Sequence, residues 1–315
     1  MRGYVARRLV LAIPTLVGLV VLAFSLIVLT PGDPAVELAR RRAPSGEATD
    51  VDISRARAEL RLDRPYVVQL TSWIADAARG DLGRSFSTGR PVAGELAERI
   101  PATAQLAGAA LALSVLLALP LGALAAVRRN SLLDQGLRIG ALLGASLPGF
   151  FLAYVLIVIF ATTLQLLPVA GRQSPASIIL PTLTLAAGPT AVLSRLVRAS
   201  LLEVLGEDFI RTARSHGLRE RSVVLWHALP NALLSTITLI GSLIGHLLAG
   251  AVIVETIFAW PGVGKLAVDA ISQRDYTMIQ GLVLFVGAIF VVVNLFVDLS
   301  YGAIDPRIRV GAGRS

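Results

Sequence analysis

Six apolar runs organise the chain, at roughly Leu9–Thr30, Pro101–Val127, Ile139–Leu164, Ile178–Val197, Ala232–Glu255 and Met278–Leu299. Each approaches or exceeds the ~20 apolar residues that cross ~30 Å of hydrocarbon as a helix. Backbone groups in lipid must be satisfied within the segment, so the pattern predicts an all-α membrane protein with six transmembrane helices. Pro31-Gly32-Asp33-Pro34 ends the first run, because proline neither continues a helix nor lets its predecessor stay helical. That run is too long for a signal peptide and lacks a small-residue cleavage site after it. Pro120, Pro148, Pro181 and Pro189 interrupt later runs and predict kinks or broken helices. Gly140-x-x-x-Gly144 and Gly241-x-x-x-Gly245 would let helices approach closely, as plain packing.

Two polar stretches stand out between the runs. The longer, 31–100, contains Pro65 at a helix-start position. After it Tyr66, Leu70, Trp73, Ile74 and Ala77 share one helical face, and Gly80 is a natural stop. The turn-rich segment Gly80–Phe86, GDLGRSF, follows. This region has too few apolar residues to stand alone, and it is expected to pack on the outer ends of the spans. The second stretch, Arg211–Asn231, reads as a short helix, Gly217, a second helix, then Leu229-Pro230. Gly217 permits a left-handed backbone that ends one helix and re-aims the next. Val223 and Trp226 lie one turn apart, with Leu218 just before them and Arg219 and Arg221 as a basic rim. Such a helix suits a groove on a partner, although a turn that merely caps two helices has the same pattern.

Composition agrees with the runs: 55% of residues are apolar and 16% charged. The net charge of +8 raises nucleic acid as a partner, but its distribution argues against it. With the N-terminus inside, the inner segments carry the whole excess of +8 and the outer segments cancel. The charge is therefore a topology signal that places both termini in the cytoplasm. There is no cysteine, so disulfides and thiolate chemistry are excluded.

Catalytic signatures are missing. Around Lys265, the one lysine, Ala259 and Leu266 stand where a phosphate-binding loop needs Gly and Ser or Thr. The histidines, His216, His227 and His246, form no metal-binding pair. An intramembrane enzyme would lack both nucleophile and metal set, and no metal site is expected. Polar residues that would face a pathway are Gln105, Ser114, Ser146, Thr184, Ser242, His246 and Asn294, with interhelical hydrogen bonding the equally good alternative. Acidic groups deep in the runs are sparse, which disfavours a proton- or sodium-coupled carrier.

Several separated stretches resemble one family. Arg211-Thr212-Ala213, three residues, Gly217, nine residues and His227-Ala228-Leu229-Pro230 are similar to the EAA loop of ABC-importer permeases. Ala213, Gly217, Leu229 and Pro230 match the general motif, whereas Arg211, Thr212 and His227 follow the peptide-permease variant. YVARRL (Tyr4–Leu9), LTPGDPA (Leu29–Ala35), GDLGRSF, RLVRASLLEVL (Arg195–Leu205), VETIFAWPGVGKL (Val254–Leu266) and DPRIR (Asp305–Arg309) fit the same branch in order. The whole chain thus resembles the first of two paired permeases of a dipeptide, oligopeptide or nickel importer.

That resemblance implies a type I ABC-importer permease fold in a bacterial inner membrane, a single permease domain over 1–315. Its 31–100 region would be extracytoplasmic, 198–231 a cytoplasmic coupling loop and 300–315 a cytoplasmic tail. It implies a second homologous permease, two ATPase subunits that hold ATP and Mg, an extracytoplasmic binding protein and lipid as partners, with no cofactor in this chain. Arg211, Ala213, His216, Gly217, Leu218, Val223, Trp226, Leu229 and Pro230 would meet the ATPase. Asp81, Gly83, Phe86, Pro261, Gly262 and Gly264 would meet the binding protein. Family members take dipeptides, longer peptides, nickel chelates or glutathione. A secondary carrier or channel is the alternative.

Overall fold

The fold is described from a computed structural model covering residues 2–29, 32–43 and 47–304. Its helices are α1 (Arg2–Leu29), α2 (Pro34–Arg42), α3 (Asp50–Glu59), α4 (Tyr66–Ala78) and α5 (Val92–Val127). Then follow α6 (Leu132–Ser146), α7 (Gly149–Leu156), α8 (Ile179–Val204), α9 (Asp208–Ser215), α10 (Glu220–Ser222), α11 (Leu229–Ile257), α12 (Val263–Ser272) and α13 (Tyr276–Ile304). No strand occurs among the described residues; one isolated antiparallel bridge joins Arg84 and Pro91.

Four helical segments are long and apolar enough to cross a membrane: Val92–Val127, Pro175–Val204, Leu239–Ile257 and Tyr276–Val293. The expected third span, Ile139–Leu164, is broken at one of the prolines expected to interrupt it: α6 and α7, continued by π-helical Ile157–Thr163, form a pair bent by 105°. Pro148 sits at the break and holds Leu147 extended, as a residue before proline prefers. The other prolines do less. The helix runs on through Pro120, and Pro181 falls in the first turn of α8, where its missing N–H costs nothing. The expected first span coincides with α1, whose described apolar stretch is Ile13–Ser25.

The chain separates into two compact units. The first comprises Met1–Pro101 and Gly262–Leu295. One of its clusters packs Val92 and Leu96 against Val263, Leu266, Met278 and Leu282. A second packs Ala35, Leu38, Ala39 and Ala56 around Phe86 and Tyr276, whose rings meet edge-on at 6.2 Å. Between these clusters Asp275, almost fully buried, caps α13 by accepting the Met278 N–H at 3.1 Å. Its other oxygen accepts the Ser85 hydroxyl at 2.5 Å and the Ser87 N–H at 3.1 Å. The GDLGRSF segment is thus pinned to the start of α13 by one carboxylate.

The second unit comprises Ala102–Pro261 and Phe296–Ser315. Its main cluster sets Leu106, Leu180, Leu247, Phe258 and Trp260 together. The backbones of α5 and α8 touch at Gly122, where an added Cβ would lie 2.6 Å from the Ser194 carbonyl. Neither GxxxG pattern marked that contact, and Gly144 meets Ala191 only at an ordinary 3.6 Å. At one end, the buried Glu255 accepts the Thr103 hydroxyl at 2.6 Å, and the Trp260 indole donates to the Ala102 carbonyl at 2.9 Å. Arg172 lies over the Trp260 ring at 5.5 Å. Elsewhere Asp134, fully buried, takes both arms of Arg198 at 2.7 Å and the Asn130 N–H at 3.0 Å.

Two stability tests follow. Asp275→Ala strands a helix cap and a loop hydroxyl and should cost about 2–3 kcal/mol, seen as a lower thermal midpoint of the purified protein. Asp134→Ala leaves the Arg198 charge without its partner and should cost about 3–5 kcal/mol. The double variant Asp134→Leu/Arg198→Leu should recover most of that loss in the same measurement.

Candidate functional site

The polar stretch after α8 folds on a small core of its own. Glu207 is extended and starts α9. Ile210, fully buried, packs with Leu201, Val223, Val224, Ala228 and Ala232, and Ala213 leans on the same cluster. This follows from helical spacing, since Ile210 and Ala213 are three residues apart. Their neighbours Phe209, Arg211, Thr212 and Arg214 face out.

Gly217 ends α9 with φ +77°, and its N–H returns to the Arg214 carbonyl at 2.9 Å. Across this turn Arg214 forks onto Glu220, Nε–Oε2 at 3.1 Å and Nη2–Oε1 at 2.8 Å. The hydrogen bonds from Arg214 hold the Glu220 carboxyl below its ordinary pKa, outweighing the opposing effect of partial desolvation. A side-chain fork and a left-handed glycine therefore set one corner together.

Beyond the corner the structure departs from the expected order. Leu229-Pro230 does not close a second helix. The chain passes from α10 through the π-helical turn Val223–Ala228 directly into α11, with Pro230 in its first turn. In a regular α-helix the Pro230 ring would press on the carbonyl four residues back; the wider turn just before it makes room. Register then divides the expected partner-facing residues. Val223 is fully buried and is withdrawn from any partner surface, while Trp226 is 76% exposed. Arg211, His216, Gly217, Leu218 and Pro230 are exposed, Ala213 and Leu229 half-buried. Phe209 and Leu225, which helical spacing alone did not single out, are exposed beside them. Exposed along this loop are the apolar Phe209, Leu218, Leu225 and Trp226 and the basic Arg211, Arg219 and Arg221.

The expected pathway residues differ in their surroundings. Ser114 is buried and donates to Ala110 at 2.7 Å and Ala186 at 3.2 Å. Thr184 and Ser242 donate to carbonyls of their own helices. Ser146 and His246 are exposed, and Gln105 accepts from Arg172 at 2.6 Å. The side chain of Asn294 lies outside the described residues, as do Asp305–Arg309.

The expected docking residues are mostly structural. Phe86, Gly262 and Gly264 are buried, which removes them from an outer surface. Gly83 has φ +84° and abuts Thr277, where a Cβ would lie 2.7 Å from the methyl group. Pro261 is half-buried, and only Asp81 of the set is exposed, accepting the Gly83 N–H at 2.9 Å. Burial of an aromatic that closes a turn explains the motif better than contact with a partner.

An all-helical chain with several apolar spans and a polar loop folded on its own core defines a multi-pass membrane component. Residues 118–310 match the family of binding-protein-dependent transport system inner membrane components, and the chain belongs to that family of transport permeases. A Brucella suis biovar 1 protein named as a peptide permease is 40% identical over 98% of this chain and 100% of its own length. The dipeptide transport system permease protein DppB of Escherichia coli K12 is 39% identical over 98% of this chain and 99% of its own. The fold is also that of the MetNI methionine ABC transporter in its inward-facing form. There the TM-score is 0.56 at 20% identity, covering 67% of this chain and 96% of that one. An amino acid ABC transporter crystallised with histidines gives a TM-score of 0.51 at 16% identity, covering 65% and 92%.

Because an added Cβ at Gly217 would meet nothing within 4 Å, substitution there acts through φ alone. Gly217→Ala should destabilise the corner by about 1–2 kcal/mol. Faster amide exchange over residues 214–220, with unchanged exchange in the buried Leu201–Ile210 core, is the expected reading.

Proposed function

We propose that this chain is the transmembrane permease subunit of an ATP-driven importer of peptides or a related small solute. Full-length similarity to permeases named for peptide and dipeptide transport carries the cargo class. The exposed Phe209, Leu218, Leu225 and Trp226 support a coupling role, because apolar side chains with basic neighbours suit a groove on an ATPase subunit. ATP and Mg would be held there, in separate chains. A second homologous permease would complete the pathway, and an extracytoplasmic binding protein would deliver cargo. Both termini and the 198–231 loop would lie in the cytoplasm, the side favoured by the arginine excess.

In this scheme closure of the ATPases pulls on the corner at Gly217. The uninterrupted path from α10 into α11 transmits that pull to a span without a hinge. The pathway itself would hold cargo weakly, with the exposed Gln105, Ser146, Ser242 and His246 as its polar contributors. Selectivity would then reside in the binding protein.

Trp226→Ala should weaken capture of the ATPase subunits by roughly 2 kcal/mol, about thirtyfold, since exposed tryptophans dominate interface energies. Gly217→Leu should instead leave the complex assembled while uptake by proteoliposomes collapses. Full uptake and full cargo-stimulated ATP hydrolysis in both variants would end the coupling assignment. Uptake that persists without ATP but fails with a protonophore would indicate a carrier instead.

A further inference from the structure

The half-buried side of helix α4 mixes polar and apolar residues, and its exposed side is apolar. Inward, the Gln69 amide donates to the Arg64 carbonyl at 2.7 Å, and Asp76 accepts from Arg61 at 2.9 Å. Gln69, Ser72, Trp73 and Asp76 line a cavity of about 240 Å³ within the first unit. Outward, Val67, Thr71, Ile74, Ala75 and Ala78 are all exposed. They fall four, seven, eight and eleven residues along from Val67, the spacing of a single helical face. Val67 is 66% exposed. The one polar group on the face, the Thr71 hydroxyl, donates to the Val67 carbonyl at 2.9 Å and the Val68 carbonyl at 3.2 Å. Nothing on that face calls for water. Tyr66 and Ile74, which the sequence spacing places on one face with Leu70 and Trp73, are exposed while those two are half-buried.

The position of α4 says what covers it. Its Tyr66 and Trp73 rings pack on Phe24 of α1 at 5.4 and 5.9 Å, and the Tyr66 and Ser25 hydroxyls are 2.7 Å apart. Phe24 and Ser25 lie in the C-terminal third of the apolar run Leu9–Thr30, whose Ile13, Val17, Val21 and Leu22 are exposed. In a membrane protein such side chains face lipid, so α4 docks within about two helical turns of the point where that run meets the headgroups. A helix of 13 residues spans only about 20 Å and cannot cross hydrocarbon. Tyrosine and tryptophan are the aromatics that settle at this boundary.

We propose that α4 is an interfacial helix. It lies in the plane of the leaflet at the C-terminal end of α1, with its Val67–Ile74–Ala78 face in the acyl boundary. The helix thereby ties the polar segment between α1 and α5 to the bilayer surface. This rests only on α1 spanning the membrane, and it is independent of cargo, coupling and sidedness.

The native chain has no cysteine, so single labels are clean. Val67→Cys, Ile74→Cys and, as smaller changes, Ala75→Cys and Ala78→Cys would carry nitroxides in the intact transporter in lipid nanodiscs. Asp63→Cys, on the exposed turn before α4, is the aqueous control. Labels on the α4 face should collide more with oxygen and less with a water-soluble nickel chelate than the control does. This pattern should hold with and without the binding protein. Nickel collision rates equal to the control would overturn the proposal, and so would protection that arises only when the binding protein is added. If bulky labels disturb the valine or isoleucine sites, the two alanine sites decide.

Discussion

Four carboxylates are taken out of water among the described residues: Glu95 accepts the Thr88 hydroxyl, and the other three pin separate parts of the fold. Asp275 is held by the Ser85 hydroxyl and two backbone N–H groups, Asp134 by a two-armed Arg198, and Glu255 by the Thr103 hydroxyl. A buried charge without partners costs far more than any one apolar contact returns. Each group therefore dictates where its surroundings must sit. Asp275 fixes the turn before α13 and the segment around Phe86, Asp134 ties the start of α6 to α8, and Glu255 joins the end of α11 to the beginning of the α5 span. The apolar clusters fill the space that these pins define.

The polar loop obeys the same economy on a smaller scale. Its buried part is a few aliphatic side chains, which suffices because the Arg214–Glu220 fork and the Gly217 corner restrict the backbone. A loop with its own core keeps its shape when pushed, whereas one ordered only by contact would yield. Its exposed aromatics are thus presented rather than stored. The wide turn before Pro230 carries the helical backbone on into α11.

Much was legible along the chain because it depends on local chemistry. Runs of apolar residues longer than a bilayer is thick admit few structures besides helices. Pro148 and Gly217 act through their own backbone restrictions, so the break between α6 and α7 and the corner after α9 could be placed from the residue types. The helix after Pro65 followed from apolar spacing. Register relative to the rest of the fold was not legible, since apolar side chains on both sides of α4 left its inward face undetermined. Val223 and Trp226 likewise looked like equal members of one face, yet a change of helical pitch between Ser222 and Leu229 turned one in and the other out.

The sequence alone determined an all-helical membrane chain with a glycine-cornered polar loop, because span length, proline and glycine act where they stand. Tertiary structure decided which of those residues are presented. It buried Phe86 against Tyr276, brought α5 against α8 at Gly122, and drew Asp134 to Arg198. These partners are separated by tens of residues to nearly two hundred. Whether a side chain packs inward depends on what the fold brings opposite it, and no local pattern encodes that.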